Sequence, residues 1–349
     1  MNAMPKTTSP TRTIRAAGLL GFRRLVDNIG GDADVLLRGA GIAPEALISP
    51  ENRISYAAMI SLLEDCSRVL HCQDFGLRLS RYQDIDILGP AAMIAHYSET
   101  VGDSLKAIAT YLFLHTSGAA AQLLRRDKHY TSLTFEVLIP GLHAERQINE
   151  LSLGIGQSLL ELLIGQGFRC ERVQFTHRRP DDLRPLVSRF GRRLSFGHSV
   201  NALTFASTNL VKPVPTANPE FRNVALDYVR DHLGGSEDNR IRRIVLLVHQ
   251  LLPTGRCSLK TVSNILGTHP RSLQRELQAA GAEFRAIVDR ARRELVADYL
   301  INTDATLTQV AAMLGYGDQA AFNNAFRRWY EMPPGYWRSQ NRPAAVRNR

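Results

Sequence analysis

The apolar positions in the last third of the chain form one pattern that occurs twice. The pattern Val-x-x-x-Leu-Gly spans Val262–Gly267 and returns about 48 residues later at Val310–Gly315. Each copy predicts a short helix, a turn at the glycine and a second helix, because apolar residues follow helical spacing on both sides of the turn. This order is the helix-turn-helix layout, in which the second helix lies in the major groove of DNA.

Residue types at the expected helix ends support both copies. Ser258 is placed to cap the first helix, and Pro270 stands in the first turn of the helix that follows. Thr306 and Gln309 match a capping box at the start of the second copy. Between the copies, Glu283–Ile301 predicts one long helix with an apolar side. A rigid helix there would fix the separation of the two reading helices, which on successive major grooves is about 34 Å.

The first two thirds of the chain mix two periods. Helical spacing predicts these helices: Gly18–Ile29, Asp32–Gly39, one beginning at Ser55, Gly76–Ser80, Leu88–Tyr97, Val101–His115, Ala144–Gln166, Asp181–Phe190 and Phe221–Leu233. A period of two predicts these strands: Gly118–Arg125 and His129–Leu138, joined as a hairpin around Asp127-Lys128, then Arg172–His177, Leu194–Phe196 and Ala202–Phe205. Alternation is expected along the second hairpin strand, with Thr131, Leu133, Phe135, Val137 and Ile139 on one side.

These elements predict an α+β N-terminal domain and an all-α C-terminal domain with two helix-turn-helix units joined by a long helix. The N-terminal fold keeps sheet and helices apart and is not a repeating βαβ fold. The predicted divisions are a disordered tail at 1–13, an effector-binding and dimerisation domain at 14–215, a linker at 216–238 that includes Gly234–Asp238, a DNA-binding domain at 239–340 and a basic tail at 341–349.

Charge is concentrated in the C-terminal part. The net charge is +10, and residues 236–349 contribute +7 of it, from 17 Lys and Arg against 10 Asp and Glu. A basic domain is the electrostatic footprint of a polyanion partner, although a solubilising basic surface has the same composition. Together with the doubled motif, the charge favours double-stranded DNA as the partner.

Composition excludes several other classes of protein. The four cysteines lack metal-ligand spacing, and without a secretory signal they indicate reduced thiols in a cytoplasmic protein. The most apolar stretch, Leu151–Ile164, is too short to cross a membrane. No hydrolase elbow, phosphate loop or zinc-protease motif is present, so we expect no enzyme activity, no cofactor and no metal.

The C-terminal motifs resemble those of a known family. The run from Val310 to Trp329, followed by Met332-Pro-Pro334, resembles the C-terminal signature of AraC/XylS-type transcription regulators. Leu273-Gln-Arg275 and Arg292-Arg-Glu-Leu295 are similar to the first unit and linker helix of that family. The resemblance covers about Ile241–Arg338 and implies a DNA-binding transcription regulator.

The chain departs from the family pattern at four positions. His269 and Gly317 stand where a serine usually caps each recognition helix. Asn324 replaces a basic residue near the middle of the second recognition helix, and Glu331 replaces a glycine. These changes put the strength and sequence preference of the second unit in question, but not its fold.

Short motifs in the N-terminal part resemble the sensor domain of one branch of this family, which has an arabinose-binding-like domain and includes ornithine-utilisation regulators. The resemblance implies a domain for a small-molecule effector, different from the cupin barrel of the arabinose regulator itself. The motifs are Phe75–Leu79, Leu88–Ala91, Val173–His177, Phe190–Gly197 and Asn201–Phe205.

Polar residues on the two predicted recognition helices are the DNA-contact candidates. Their alternative reading is a solvated helix face. The base-readout candidates are Arg271, Gln274 and Arg275 in the first unit and Gln319, Ala321 and Asn324 in the second. The phosphate candidates are Lys260, Arg293, Arg327 and Arg328.

Candidates in the N-terminal domain are weaker. Arg78 and Arg81 are candidates for clamping a carboxylate effector. His115, His143 and His177 are effector-contact candidates, although a lone histidine is more often a satisfied core or surface group. A dimer face at heptad-like spacing is predicted on the long helix, with a buried core face as its alternative: Leu151, Ile155, Leu159 and Leu162.

The sequence therefore predicts an effector-responsive, sequence-specific transcription regulator, and it favours an activator. The expected partners are double-stranded DNA, RNA polymerase, a small-molecule effector and a second copy of the chain. The alternative is a constitutive dimeric repressor without a ligand. The identity of the effector and the operator sequence remain open at this point.

Overall fold

The computed structural model describes residues 12–139, 145–232, 240–252, 255, 257–302 and 305–341 of the 349-residue chain. The chain divides between Asp227 and Tyr228 into two compact units, named here the N-terminal unit and the C-terminal unit. Several sequence predictions lie outside the described residues: the tail up to residue 11, the linker segment Gly234–Asp238, His143 and residues 342–349.

Seven strands form two sheets in the N-terminal unit. The strands are β1 (Thr13–Arg15), β2 (Arg53–Ser55), β3 (Ala119–Arg125), β4 (Tyr130–Val137), β5 (Arg172–Gln174), β6 (Leu194–Ser195) and β7 (Asn201–Ala206). β1 pairs with β2, and the larger sheet has the order β3-β4-β7-β5-β6. All pairs are antiparallel except β5 with β6. The small sheet was not predicted, and Thr13, assigned to the disordered tail, lies in it.

Nine helices lie within the described residues 12–232. They are α1 (Phe22–Ile29), α2 (Ala33–Gly39), α3 (Tyr56–Val69), α4 (Phe75–Leu79), α5 (Pro90–His96), α6 (Val101–Tyr111), α7 (Arg146–Ile164), α8 (Arg184–Phe190) and α9 (Pro219–His232). Single 3₁₀ turns occupy Ala16–Leu19, Pro44–Ile48, Ser80–Tyr82, Ile85–Leu88, Leu112–Leu114 and Ser207–Val211. The α+β prediction is confirmed.

Helix α7 forms the centre of the N-terminal unit. A Cβ atom on Gly76 of α4 would lie 2.0 Å from the Gln147 carbonyl oxygen of α7, so only glycine allows the two backbones to approach this closely. The Gln147 side chain accepts from the Gly76 N–H at 2.8 Å and donates to the Gln73 carbonyl at 2.9 Å. α7 also packs on β4 and β7, which places it between the helices and the sheet.

The apolar face of α7 is core and not a dimer face. Leu151 and Leu159 are 2% and 5% exposed within the unit, so they cannot contact a second copy as predicted. Leu162, in the last turn of the helix, is 44% exposed. For Leu151 and Leu159, the alternative prediction of a buried core face is correct.

The predicted hairpin is confirmed, but its second strand does not alternate throughout. Asp127 makes the turn by accepting from the backbone N–H groups of His129 and Tyr130 at 2.6 and 2.9 Å. The strand buries four successive residues, Thr131 to Thr134, before alternation begins. β4 is an inner strand of its sheet, and α7 packs against it.

Seven helices form the described part of the C-terminal unit: α10 (Arg240–Leu251), α11 (Leu259–Ile265), α12 (Pro270–Ala279), α13 (Phe284–Asn302), α14 (Leu307–Met313), α15 (Gln319–Tyr330) and α16 (Pro334–Asn341). α10 packs against α11 and α13, and α13 contacts α14 and α16. We call α13 the linker helix, and α12 and α15 the recognition helices. The two helix-turn-helix units and the linker helix are confirmed; α10 and α16 were missed.

The predicted local signals act as expected. Ser258 Oγ accepts from the Thr261 N–H at 3.0 Å, and Thr306 forms the predicted capping box with Gln309. Gly267 and Gly315 have φ angles of 64° and 68°, in the left-handed region that favours glycine.

All four cysteines are unpaired. Cys66, Cys72 and Cys170 are buried in the N-terminal unit, and Cys257 is half-buried in the C-terminal unit. Burial raises the pKa of each thiol, to about 12 for Cys66, Cys170 and Cys257 and to about 11 for Cys72. Among the described helices, none has the length and apolar character needed to cross a membrane.

Candidate DNA interface and internal cavity

The first recognition helix presents three polar side chains on one side. Leu273 and Leu277 are buried and anchor α12 against the unit. Arg271, Gln274 and Arg275 are exposed. They are spaced three and four residues apart, so they lie on the same side of the helix. The structure therefore brings these three predicted base-readout residues together.

His269 caps this helix, in the position where the family usually has serine. Its Nδ1 atom accepts from the Arg271 N–H at 3.3 Å, which satisfies one of the free donors of the first turn. Pro270 occupies the next position, where the missing N–H has no cost. The helix therefore starts at a defined residue, and Arg271 lies in its first turn.

The second recognition helix is capped one residue later than the family comparison suggests. Asp318 Oδ1, and not Gly317, accepts from the Ala321 N–H at 2.7 Å. Ala321 and Asn324 are exposed. Gln319 is half-buried, and its Oε1 atom accepts from the Thr308 hydroxyl at 2.6 Å. Gln319 is therefore partly engaged inside the motif.

The predicted phosphate contacts differ in their surroundings. Lys260 and Arg327 are exposed on α11 and α15. Arg328 Nη2 lies 2.8 Å from Asp289 Oδ2 of the linker helix. Arg293 is exposed and lies over the Tyr330 ring, 5.8 Å from its centroid.

Arg292 has a structural role that the sequence did not reveal, since there it stood only within a family motif. Its guanidinium donates to the carbonyl oxygens of Leu314 and Gly315 at 2.9 and 3.0 Å, and lies 4.2 Å from the centroid of the Tyr316 ring. These are carbonyls at the C-terminal end of α14, which have no partner inside the helix. Arg292 therefore ties the turn of the second unit to the linker helix.

Aromatic residues of α15 and α16 pack against one another. Phe326 stacks on Tyr330 at 4.5 Å and meets Trp337 edge-on at 5.9 Å. The Tyr330 hydroxyl donates to the Arg293 carbonyl at 3.1 Å. Trp329 is half-buried.

The N-terminal unit encloses an apolar cavity of about 100 Å³ between α7, the sheet and the turns that precede α5. Most of its wall is aliphatic, including Leu133, Leu151 and Leu203. His115 and Gln83 are its two polar side chains with unpartnered buried atoms, His115 Nδ1 and Gln83 Oε1. Burial and the nearby guanidinium groups of Arg15 and Arg53 lower the pKa of His115 to about 3, so its ring is neutral.

Arg78 and Arg81 lie outside the wall of this cavity. Arg78 Nε is 2.9 Å from Asp74 Oδ1, and the pair lines a separate polar pocket of about 290 Å³ with Arg146 and Glu150. Arg81 is exposed. Arg78, Arg81 and His115 are therefore not brought together, and of these three only His115 lines the cavity.

Buried carboxyl groups lie next to this polar pocket. Burial raises the pKa of Glu150 to about 7, although Arg146 opposes the shift from 2.7 Å. His177 Nε2 lies 3.6 Å from Glu150, while its Nδ1 atom bonds the Arg178 carbonyl at 2.8 Å. Burial also raises the pKa of Glu145 to about 7, with help from the carboxylates of Glu136 and Glu64.

The chain has two helix-turn-helix units on one linker helix, and it also has an α+β unit with an apolar cavity. Together these features define a DNA-binding regulator with a separate sensor domain. Family models agree with this division. Residues 30–214 match the arabinose-binding N-terminal domain of AraC transcription regulators, and residues 262–340 match a helix-turn-helix domain. The chain belongs to the AraC family of transcription regulators, as its motifs predicted.

Relatives support the assignment over nearly the whole length. The HTH-type transcriptional regulator VirS of Mycobacterium tuberculosis is 32% identical over 93% of this chain and 96% of its own. The ornithine utilization regulator of Pseudomonas aeruginosa is 25% identical over 90% of this chain and 93% of its own. The crystal structure of the regulator CdpR from Pseudomonas aeruginosa overlaps 90% of this chain and 97% of its own, with 20% identity and a TM-score of 0.44.

Proposed function

We propose that this regulator is an effector-responsive activator that binds a specific operator with both helix-turn-helix units. The observation that carries the proposal is the set of exposed donors in the first turns of the capped helix α12. In a helix-turn-helix protein the N-terminal residues of the recognition helix contact base edges. Arg271, Gln274 and Arg275 occupy those positions and remain exposed.

Each of these side chains has a matching base. An arginine donates two hydrogen bonds to guanine O6 and N7, and a glutamine bonds adenine N6 and N7. Since the three side chains share one side of α12, they can reach neighbouring base pairs together. The first unit is therefore assigned the stronger part of the sequence preference.

The second unit reads its site with weaker groups. Ala321 offers an exposed methyl group for contact with thymine, and Asn324 is suited to adenine. Gln319 keeps its N–H donors for a base, because its oxygen is already occupied by Thr308. No side chain among these three is charged, so this unit contributes less to affinity than the first.

Cations near the recognition helices are assigned to phosphates. Lys260, Arg293, Arg327 and Arg328 are exposed and come from α11, α13 and α15. Phosphate contacts position a protein on the duplex without reading its sequence. The pairing of Arg328 with Asp289 directs its guanidinium but leaves 59% of the side chain exposed.

The effector is assigned to the cavity in the N-terminal unit. We propose that its binding shifts the population toward the form of a homodimer that holds the operator and contacts RNA polymerase. Unpartnered polar atoms in an enclosed apolar space support a ligand site over a purely structural domain. A constitutive repressor that binds no ligand would not need such a site.

The test is a selection of randomised double-stranded DNA with the full chain. We expect one preferred sequence for the native chain and a relaxed preference after Gln274→Ala. The matched control is Gln278→Ala, which removes an exposed glutamine from the same helix beyond its N-terminal turns. Equal loss of preference in both variants, or no selected sequence at all, would overturn the assignment. A reporter gene placed downstream of the selected site then distinguishes an activator from a repressor, since an activator raises its transcription and a repressor lowers it.

A further inference from the structure

We infer that the cavity in the N-terminal unit takes a small neutral molecule that donates hydrogen bonds, such as an alcohol or a primary amide with a short apolar body. The inference rests on the proposed function, because it specifies the effector site assumed there. It follows from the two polar side chains of the wall, from the charges around them and from the size of the space.

Gln83 presents a hydrogen-bond acceptor to the cavity. Its Nε2 atom donates to the carbonyl oxygens of Gly18 and Leu20 at 2.9 and 3.1 Å, which fixes the orientation of the amide. Its Oε1 atom is buried and has no hydrogen-bond partner among the described residues. Leaving a buried acceptor without a donor costs free energy, so a ligand that supplies a donor is favoured.

His115 presents a second acceptor. The ring donates to the Ile87 carbonyl, and since Nδ1 has no partner among the described residues, the donor is Nε2. In a neutral imidazole the other nitrogen is then an acceptor. The side chain is 5% exposed and lines the same cavity as Gln83. Both unpartnered atoms of the wall therefore require donors from a ligand.

The charges around the site exclude ions of either sign. Among the described residues of the wall, none carries a charge, so neither a cation nor an anion would find a counter-ion. Arg15 and Arg53 next to His115 disfavour a cation, and Glu51, which pairs with Arg15, offsets part of their attraction for an anion. An anion would face two acceptors in an apolar space, and burying an ion without a paired charge is costly. A neutral primary amide has two N–H donors and satisfies both atoms without that cost, and an alcohol satisfies one of them.

The volume limits the ligand to a compact molecule. A cavity of about 150 Å³ accommodates benzene, which has six non-hydrogen atoms. The 100 Å³ available here therefore suits about four such atoms. Aliphatic side chains form the rest of the wall, so the remainder of the ligand should be apolar.

The test compares isosteres of four non-hydrogen atoms on the native full chain. 1-Propanol is paired with propylammonium, and acetamide is paired with acetate. We expect the two neutral compounds to raise the melting temperature in a concentration-dependent way, and the two ions to leave it unchanged. This comparison needs no variant, so it does not depend on an altered chain folding.

Variants then locate the binding. His115→Phe and Gln83→Met should each abolish the shift given by the neutral compounds. The Ile87 carbonyl keeps its hydrogen bond from Arg15 when His115 is replaced, which protects the fold. Arg81→Gln, an exposed position outside the wall, is the matched control and should keep the full shift.

Each outcome decides a different claim. Equal or larger shifts with the charged isosteres would overturn the ligand class. An absence of shift with all four compounds, or a shift retained in both cavity variants, would overturn the cavity as the site. A neutral compound that binds there but leaves the affinity for the selected DNA unchanged would refute the effector-responsive part of the proposed function and leave the cavity chemistry standing.

Discussion

Asp289 of the linker helix contacts Arg328 of the second recognition helix, with Oδ2 and Nη2 separated by 2.8 Å. The same carboxylate lies 3.4 Å from Arg292, the residue that ties the second turn to the linker helix. One carboxylate therefore joins a candidate DNA contact to the internal support of its unit. This arrangement restricts where the Arg328 guanidinium can lie before DNA binds.

Arg328→Ala should weaken binding to all DNA sequences by a similar factor. The loss of one phosphate contact should make the plot of log affinity against log salt concentration shallower by about 0.9. The fold should persist, since Asp289 still has Arg292 as a partner. Asp289→Asn is the control, because it keeps the Arg328 charge and should keep the salt slope. A change in the selected bases would contradict the phosphate role.

Arg275→Ala should act differently from Arg328→Ala. Loss of a bidentate contact to guanine should lower specific affinity by about 1–3 kcal/mol and relax the preference at one position of the site. Competition binding with the selected site and its single-base variants measures both effects. If all variants lost affinity in parallel, Arg275 would be a phosphate contact.

Arg292→Met should lower the free energy of unfolding of the C-terminal unit by about 2–3 kcal/mol. The substitution removes charged hydrogen bonds to two carbonyl groups and a cation–π contact with Tyr316. Both tryptophans of the chain, Trp329 and Trp337, lie in this unit, so denaturant unfolding followed by tryptophan fluorescence reports on it. The control is Arg290→Met, an exposed arginine of the same helix, and similar losses in both variants would refute the role.

Glu331→Gly should stabilise the C-terminal unit. Glu331 ends α15 with a φ of 58°, in the left-handed region where a side chain costs about 1–2 kcal/mol. Glycine removes that strain, and after its extra freedom in the unfolded chain is allowed for, a gain of about 1 kcal/mol is expected. Glu331→Ala removes the same charge but keeps the strain, so a gain of equal size in both variants would assign the effect to charge.

The N-terminal unit should be less stable at pH 8 than at pH 6.5. The folded-state pKa of Glu145 and Glu150, about 7 for each, lies above the ordinary value of 4.5. The folded unit therefore binds these protons more tightly than the unfolded chain, and stability falls as pH rises through 7. The expected loss is about 1 kcal/mol for each carboxyl group.

Histidines have the opposite effect at lower pH. The pKa of His115 is about 3 and that of His177 is also lowered, so below 6.5 the unfolded chain binds more protons and stability falls on acidification. Below pH 6.5 this loss opposes the gain from Glu145 and Glu150, so thermal unfolding followed by circular dichroism should show its clearest fall in stability between pH 6.5 and pH 8. Glu150→Gln should reduce the loss at pH 8, and the exposed Glu99→Gln should not. If Glu150→Gln lost as much stability between pH 6.5 and pH 8 as the native chain, Glu150 would not contribute to the pH dependence.

The C-terminal fold was predictable because its signals are local. Capping residues, turn glycines and apolar spacing occur within a few residues of each other, as at Thr306 and Gln309. The missed helix α10 carried the same signal. Ile244, Leu247, Val248 and Leu251 are all buried and follow helical spacing.

The small sheet and the internal contacts of the sites depend on residues that are distant in the sequence. β1 and β2 are three residues each, too short for a period of two, and their pairing joins residues about 40 positions apart. The base-readout candidates were found from spacing alone. His115, Gln83 and Arg292 acquire their roles only through partners elsewhere in the chain.

The distribution of the cysteines gives each unit its own chemical reporter. The thiolate is the reactive form of cysteine, so burial and a raised pKa make Cys66, Cys72 and Cys170 inert while the N-terminal unit is folded. Cys257, whose pKa is also raised, reports in the same way on the C-terminal unit. Alkylation by a thiol reagent, followed peptide by peptide, would therefore time the opening of each unit separately in the unlabelled, unaltered chain.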